Sequence, residues 1–457
     1  MGLLLLKWVF FLLSVAVVFY FGLKKPTVLI ALLAGAVALE ISITWFPPLG
    51  PITSQLGSLA RLLTVGIIGA TLWQIWIVPK KRQELKVILN HFLTRALLVY
   101  IVIGAVSFLY SIGPGKTAFE VVRLLTLLFL YLSVCLLMER KQAFLPFQVV
   151  HWVGVALVPL ALYEAMTRHF IWRQYLAEGM IARVNATFVD PNIFARYLVL
   201  AIAANLILSY FYFSPSTGTS PNANANTGHR LQVVVAIGTL LGLLGALAVT
   251  LSRSGLLTLF IVLILMVVLI PRRRMLLPIG LLGLVGTVIA ALQPTVWQRL
   301  LTFREGFGAL DAQRQYLWKA AGAMFTDHPF FGVGLGGFQE AFLTHYISLK
   351  TAIPDAEGAT LSHTTILTIA AELGLMGLAA LAWVWVALVR VLRRLRQAGL
   401  DRDGFERYIP GVGYFLWIVT VFVSSQAEGR FFEDPMIWIS MGMMFCLLGK
   451  VGSEKKI

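Results

Sequence analysis

Runs of about twenty mostly apolar residues recur along the whole chain, and a run of that length is what a helix needs to cross ~30 Å of hydrocarbon. Inside a bilayer every backbone N–H and C=O must be satisfied within the protein, so only helices or a closed barrel can span it. Barrel strands cross in about ten residues; runs twice that length select helices. Composition points the same way, since 59% of the 457 residues are apolar and 13% charged. Soluble proteins average about 45–50% and 25%.

The sequence therefore predicts an all-α fold, a polytopic transmembrane helical bundle of about twelve to thirteen spans. They fall near 3–22, 26–46, 59–79, 92–112, 117–138, 147–166, 191–213, 231–250, 255–270, 275–293, 362–389, 411–426 and 435–449. Residues 1–293 then carry spans one to ten, 294–361 form one long extracytoplasmic loop region, and 362–457 hold the last three spans and a cytoplasmic C-terminus. The first run, Leu3 to Gly22, lacks a small-residue cleavage site and precedes Lys24 and Lys25, so it reads as a retained span. Cys135 and Cys446 both fall inside apolar spans, with no spacing that suggests a disulfide framework or a metal knuckle.

A net charge of +16 looks like a nucleic-acid signal until its distribution is followed. Lys24 and Lys25; Lys80, Lys81, Arg82 and Lys86; Arg140 and Lys141; Arg272 to Arg274; and Arg390, Arg393, Arg394 and Arg396 occupy alternate short loops. The positive-inside rule makes those loops cytoplasmic, so the basic residues orient the chain and no nucleic-acid partner is implied. Residues 47–58, 167–190, 251–254, 294–361 and 427–434 are then outside. One inner loop, Ser214 to Gly228, is polar and of low complexity, a flexible linker.

The long outer segment presents Tyr316, Leu317, Ala320, Ala321, Met324 and Phe325 at helical spacing after Trp297, which predicts an amphipathic helix on the membrane surface. A turn at His328 to Gly337 (HPFFGVGLGG) and a second short helix to about Tyr346 follow. Its GVGLGG formally satisfies GxGxxG, but with no strand before it the segment reads as a tight turn. Asp401-Arg402-Asp403 mimics a metal-binding DxD among basic residues and reads as a solvated cytoplasmic loop. No P-loop, zinc spacing or nucleophile elbow is present, so nothing points to ATP, a metal or a covalent intermediate.

This orientation brings Arg183, Arg253, Arg314, His328, His345 and His363 to one side of the bilayer, where arginine is least expected. Arg253 sits at the tip of a very short hairpin (TLSRSG), where a guanidinium either snorkels to lipid headgroups or clamps an anion with its planar fork. Arg183, just before NATFVDPNIFAR, offers the same two readings. His363 opens the eleventh span with Ser362 as its expected N-cap. A histidine there is either structural or, kept neutral by the positive end of the helix, able to accept a proton as a general base. Glu372, nine residues on, falls on the opposite helical face and reads as half of a structural pair.

At these residues the chain resembles the O-antigen ligase and polymerase superfamily of bacterial envelope glycan enzymes. The matching elements are RVNATFVDPNIFA from Arg183 to Ala195, LSRSG from Leu251 to Gly255, Arg314 with Trp318, PFFGVGLGGF from Pro329 to Phe338, and SHTTILTIAAELGLMG from Ser362 to Gly377. Val189-Asp190 stands where a glycine and an asparagine are usual, and Thr364 where asparagine commonly follows the histidine. The resemblance implies a bacterial inner-membrane enzyme that takes a glycan from an undecaprenyl-diphosphate carrier at the outer leaflet and joins it to a hydroxyl of a glycan, lipid or protein acceptor, without metal or cofactor. It further implies that Arg183 and Arg253 bind the diphosphate, that His363 deprotonates the acceptor in an inverting displacement, and that Arg314, Trp318 and Asn192 contribute to substrate binding. The rival class is a lipid-linked glycan flippase or transporter, which usually shows repeated halves and a charged midplane cavity. No convincing internal repeat is visible in this chain.

Overall fold

The computed structural model describes residues 2–48, 57–172, 175–177, 181–213, 226–270, 280, 312–346, 361–397, 402–429 and 431–449. In chain order the helices are α1 (Gly2–Lys24), α2 (Pro26–Ala36), α3 (Leu59–Ile77), α4 (Pro79–Asn90), α5 (Phe92–Val106), α6 (Pro114–Leu137) and α7 (Leu145–Thr167). A hairpin of β1 (Tyr175–Ala177) and β2 (Ile181–Arg183) follows, then α8 (Pro191–Tyr212), α9 (Asn226–Val249), α10 (Arg253–Leu269), α11 (Ala312–Asp327) and α12 (Phe338–Thr344). The last three are α13 (Thr365–Gln397), α14 (Arg402–Ser425) and α15 (Pro435–Leu448).

Among the described residues nine helices are long and apolar enough to cross a membrane, and α2, α10 and α15 are shorter apolar helices beside them. These match twelve of the expected spans; the tenth, 275–293, lies outside the described residues, as do Trp297, Arg272 to Arg274, Asp401 and residues 214–225 of the linker. The antiparallel β1–β2 pair is the one departure from an all-helical fold among them. Arg402 and Asp403, expected in a loop, form the first turn of α14.

Helix ends follow local chemistry. Proline occupies the first position of α4, α6, α8 and α15, where its missing N–H costs nothing. Asp190 and Asp434 cap α8 and α15 by accepting from the backbone N–H of Asn192 (2.6 Å) and Met436 (2.8 Å). The expected span 26–46 stops early: α2 has 11 residues and rises only about 16 Å. The chain then turns through a 3-10 segment, Glu40–Thr44, because a loop from elsewhere supplies its partners. Thr187 Oγ1 donates to Ala38 O (2.6 Å), Ile41 N–H to Thr187 O (3.0 Å), and Val189 N–H to a Glu40 carboxylate oxygen (2.7 Å).

The core is built around α8 and α14, which are buried on nearly all sides and pack on each other and on α10. Trp417 of α14 donates its indole N–H to Leu200 O of α8 at 3.0 Å, satisfying a large buried aromatic. At the edge, α1 packs on α3 and leaves most of its apolar surface uncovered, as a lipid-facing helix should.

The amphipathic helix expected in the long outer segment is α11, but its partner is protein. Leu317, Ala320, Ala321 and Met324 pack against Val333, Phe338, Phe342 and Ala371, and α11 lies along α13. Spacing alone shows an apolar stripe without naming what covers it; here the turn after α11 folds back and supplies that cover.

Candidate functional site

The loop that carries Arg183 is pinned from three directions. At the end of α7 the buried Glu164 carboxylate accepts from the backbone N–H groups of Ile171 (2.9 Å), Asn185 (3.2 Å) and Ala186 (2.9 Å). Together with the Thr187 and Val189 bonds to residues 38–41, this fixes the path from β2 into α8. Ala186 is held at φ 47°, a left-handed conformation that a side chain resists.

Arg183 is buried, and its guanidinium reaches across to the 250–254 hairpin. Its Nε donates to Thr250 O (3.0 Å) and its Nη2 to Asn192 Oδ1 (2.9 Å). Ser252 Oγ donates to the same Asn192 oxygen (2.8 Å) while accepting from Gly255 N–H (3.1 Å) as the N-cap of α10. Asn192 thus ties β2, α8 and α10 into one rigid corner. A Cβ on Gly255 would lie 2.7 Å from that of Ala195, so only glycine lets α10 approach α8 this closely. Leu251 is strained here too, at φ 52°.

Arg183, Asn192, Arg253, Ser254, Arg314 and Ala427 surround a pocket of about 90 Å³. Arg183, Asn192, Arg253 and Arg314, four of the six residues to which the resemblance gives a role, therefore meet there, drawn from four separate segments. Among the described residues its walls carry three guanidinium groups and no acidic side chain. Arg253 is moreover the first residue of α10, where the partial positive charge of the helix end adds to its own. Trp318, one turn beyond Arg314 on α11, lines neither this pocket nor the larger cavity beside it.

His363 stands two residues before α13, at φ 58°, so Ser362 is not the N-cap the sequence led us to expect. The Ser362 hydroxyl instead accepts from Thr364 N–H (3.3 Å) and shares a hydrogen bond with Thr368 Oγ1 (2.8 Å), locking the left-handed turn. Thr364 Oγ1 donates to Gln426 O (3.2 Å), and a Cβ on Gly429 would lie 3.4 Å from the His363 Cα. The histidine is thereby fixed to the 426–429 loop, whose Ala427 faces the arginine pocket. Three of the four non-glycine residues with positive φ among the described residues, Ala186, Leu251 and His363, thus fall in the three segments that form this region. Strain held in place by surrounding contacts is characteristic of sites where geometry matters.

The 426–434 loop is held by a buried ion cluster. Arg196 of α8 donates to Glu428 (2.8 Å) and Asp434 (3.2 Å). Burial pushes the Glu428 carboxyl up to about 7, against the downward pull of Arg196, because Asp190, Asp434 and Glu40 crowd the same cation.

A larger cavity, about 500 Å³, opens next to the His363 segment and was not foreseen; His363 itself lines neither this cavity nor the arginine pocket. Leu361, Thr365 and Gly429 form part of its wall, so residues flanking His363 face it directly. Lys116, Glu120 and Arg123 of α6, Glu433, Gln339 and Glu372 supply its charged and amide groups, with the hydroxyls of Thr365 and Thr368 beside them. Arg123 joins Glu120 and Glu433, the latter at 2.7 Å. Glu372 finds the backbone N–H of Phe338 (3.4 Å), where the sequence led us to expect a charged partner. The signal that could have found this cluster was an Asp/Glu/Arg set inside apolar runs, since intramembrane charges are expensive and rarely idle.

The GVGLGG segment is a tight turn, as expected, and it does more. Helix α13 breaks at Gly374 (φ 60°, ψ −152°), and the turn inserts there. Val333 and Gly334 donate to the carbonyls of Ala371 and Glu372, while Leu375 and Met376 donate to Pro329 and Phe330 (2.8–3.2 Å). The exchange gives partners to four of the backbone groups around the break, the carbonyls of Ala371 and Glu372 and the N–H groups of Leu375 and Met376. A Cβ on Gly332 would lie 2.3 Å from the Glu372 carbonyl carbon, and one on Gly374 2.5 Å from that of Phe330.

Fold and site together define a polytopic helical membrane protein with an arginine-lined pocket at one end of the bundle. Residues 238–382 match the family model described as O-antigen ligase, which supports the O-antigen ligase and polymerase superfamily and membrane glycan processing of that type. The matched stretch contains Arg253, Arg314, Trp318 and His363; Arg183 and Asn192 precede it and join it through the hydrogen bonds described above. No curated protein matches the chain.

Proposed function

We propose that this protein is an integral membrane glycosyltransferase that transfers or polymerises a glycan from an undecaprenyl-diphosphate carrier onto an acceptor hydroxyl at the outer leaflet. The observation that carries the reading is the meeting of Arg183, Arg253 and Arg314 in one small pocket beside the strained His363 segment. A volume near 90 Å³ is about three water volumes, which suits a phosphoryl group better than a sugar ring.

In this mechanism the diphosphate sits against the three guanidinium groups and the N-terminus of α10, which offset its growing charge as the glycosyl C–O bond breaks. The imidazole of His363 takes the proton of the acceptor hydroxyl as that oxygen bonds to the anomeric carbon from the opposite side. The electron pair of the broken bond leaves on the diphosphate, and the product has inverted configuration. A diphosphate leaving group already carries the energy of the transfer, so the scheme needs neither nucleotide nor metal.

The test is to incubate the purified full-length protein in nanodiscs with a carrier-linked glycan and a panel of acceptors. Glycosylated acceptor with release of undecaprenyl diphosphate is the expected result. Movement of the intact lipid-linked glycan across a vesicle membrane without product would instead make the protein a flippase.

A further inference from the structure

We infer that the cavity of about 500 Å³ walled by Glu120, Arg123, Gln339, Glu372, Glu433 and Phe119 is the binding site for the acceptor saccharide, and that it takes neutral or amino sugars and rejects anionic ones. The inference rests on the transferase reading above and assigns to it a second substrate site.

Size comes first. At about 500 Å³ the cavity falls within the ~300–1,000 Å³ typical of small-molecule sites, and it is several times the volume of the arginine pocket. Charge comes next. Three carboxylates, Glu120, Glu372 and Glu433, face two cations, Lys116 and Arg123, and Arg123 already bridges two of those carboxylates. With Arg123 already paired to two of these groups, an anion brought here finds little uncompensated positive charge, so the site does not favour the donor's leaving group. Carboxylates are acceptor-only groups, suited to sugar hydroxyls and ammonium groups, which donate. Phe119, Tyr100 and Phe432 supply aromatic surface for the apolar face of a ring.

Position is the third argument. Leu361 and Thr365, two residues to either side of His363, line this cavity, whereas the arginine pocket lies beyond the 426–429 loop. Ala427 faces the arginine pocket and Gly429 the larger cavity. Inversion requires nucleophile and leaving group on opposite faces of the anomeric carbon. Two cavities of opposite chemical character, one walled by residues flanking the histidine and the other by the 426–429 loop that holds it, suit that arrangement.

Gly115 gives a clean way to close the cavity. It lies in the first turn of α6, lines the cavity, and an added Cβ there meets nothing within 4 Å. Gly115→Phe should therefore fold and occupy the space a sugar would use. Saturation-transfer NMR on the full-length protein in nanodiscs, with methyl N-acetylglucosaminide, methyl glucosaminide and methyl glucuronide as probes, reads the site without any donor. Binding of the first two by wild type, exclusion of the glucuronide, and loss of at least about tenfold in affinity in Gly115→Phe and Glu372→Gln are expected. No binding by wild type, equal binding of the glucuronide, or binding unchanged in Gly115→Phe overturns the assignment. Saccharide binding that Gly115→Phe abolishes, in a protein that never transfers a glycan, refutes the transferase reading and leaves the cavity a sugar site. Transfer with an acceptor KM that Gly115→Phe does not raise refutes the cavity assignment and leaves the transferase.

Discussion

The arginine pocket holds about 90 Å³ with three guanidinium groups on its walls, and the cavity next to it holds about 500 Å³ with three carboxylates set against two cations. Both are built at one end of the same bundle, the cavity on residues flanking His363 and the pocket on the 426–429 loop that holds the His363 segment. The difference lies in how each treats charge. In the pocket, guanidinium groups from β2, α10 and α11 line one small space with no acidic side chain among its described lining residues. In the cavity, opposite charges largely neutralise one another through Arg123, leaving directional hydrogen-bonding groups and little net field. On the reading proposed above, one site draws an anion in, while the other gives an anion little net attraction and reads shape and hydroxyl pattern.

The sharpest way to break the comparison is at the segment between the two sites. His363→Asn should lower turnover by about 10²–10⁴-fold. Donor binding and saccharide binding should both survive, because neither cavity loses a wall; wild-type turnover in this variant would remove the histidine from the mechanism. Next, Arg253→Ala should reduce kcat/KM for the donor by about 10²–10³-fold, with Arg253→Lys intermediate because a point charge replaces a planar fork. Saccharide affinity measured in the same variant should not change. If both substrates weaken together, the two cavities are one site.

A third variant tests the loop that keeps them apart. Arg196→Met leaves Glu428 and Asp434 buried without their shared cation, which costs about 3–5 kcal/mol. Thermal unfolding in detergent should show the loss. The smallest effect concerns pH. The folded Glu428 carboxyl titrates near 7, above its ordinary 4.5, so the folded state binds the extra proton between those values. Its contribution is therefore fully present below about 4.5 and is lost as pH rises through about 7, at no more than about 1.4 kcal/mol per pH unit. Glu428→Gln should flatten the stability profile over that window. An unchanged slope would mean that Arg196 keeps the carboxyl ionised throughout.

The bundle was legible because hydrophobic length is a local property. Each apolar run announces its own span, and the helices from α1 to α15 that cross or partly cross begin within a few residues of the expected positions, except α14, which starts at Arg402 where 411 was expected. Errors arose where distant chain supplies hydrogen bonds. The second span ends at Ala36 because Thr187, 151 residues further along, completes the turn after it. The apolar stripe of α11 was read correctly and its covering surface was not, since Ala371 and Phe342 are brought there only by the tertiary fold. The arginine pocket was readable because orientation sorts charges by side. The cavity was not, because Glu120, Glu372 and Glu433 become neighbours only after α6, α13 and the 426–434 loop have packed.

The break at Gly374 sets how this end of the bundle can deform. The first turns of α13 carry Thr365, Thr368 and Glu372 and are continuous with His363, but their hydrogen-bond register is completed by Pro329 to Gly334. The outer stub of α13 and the glycine turn are therefore spliced into one mechanical body, and neither can slide along its axis without rupturing four backbone bonds. A displacement of the turn would therefore carry the first turns of α13, and the histidine that precedes them, along with it.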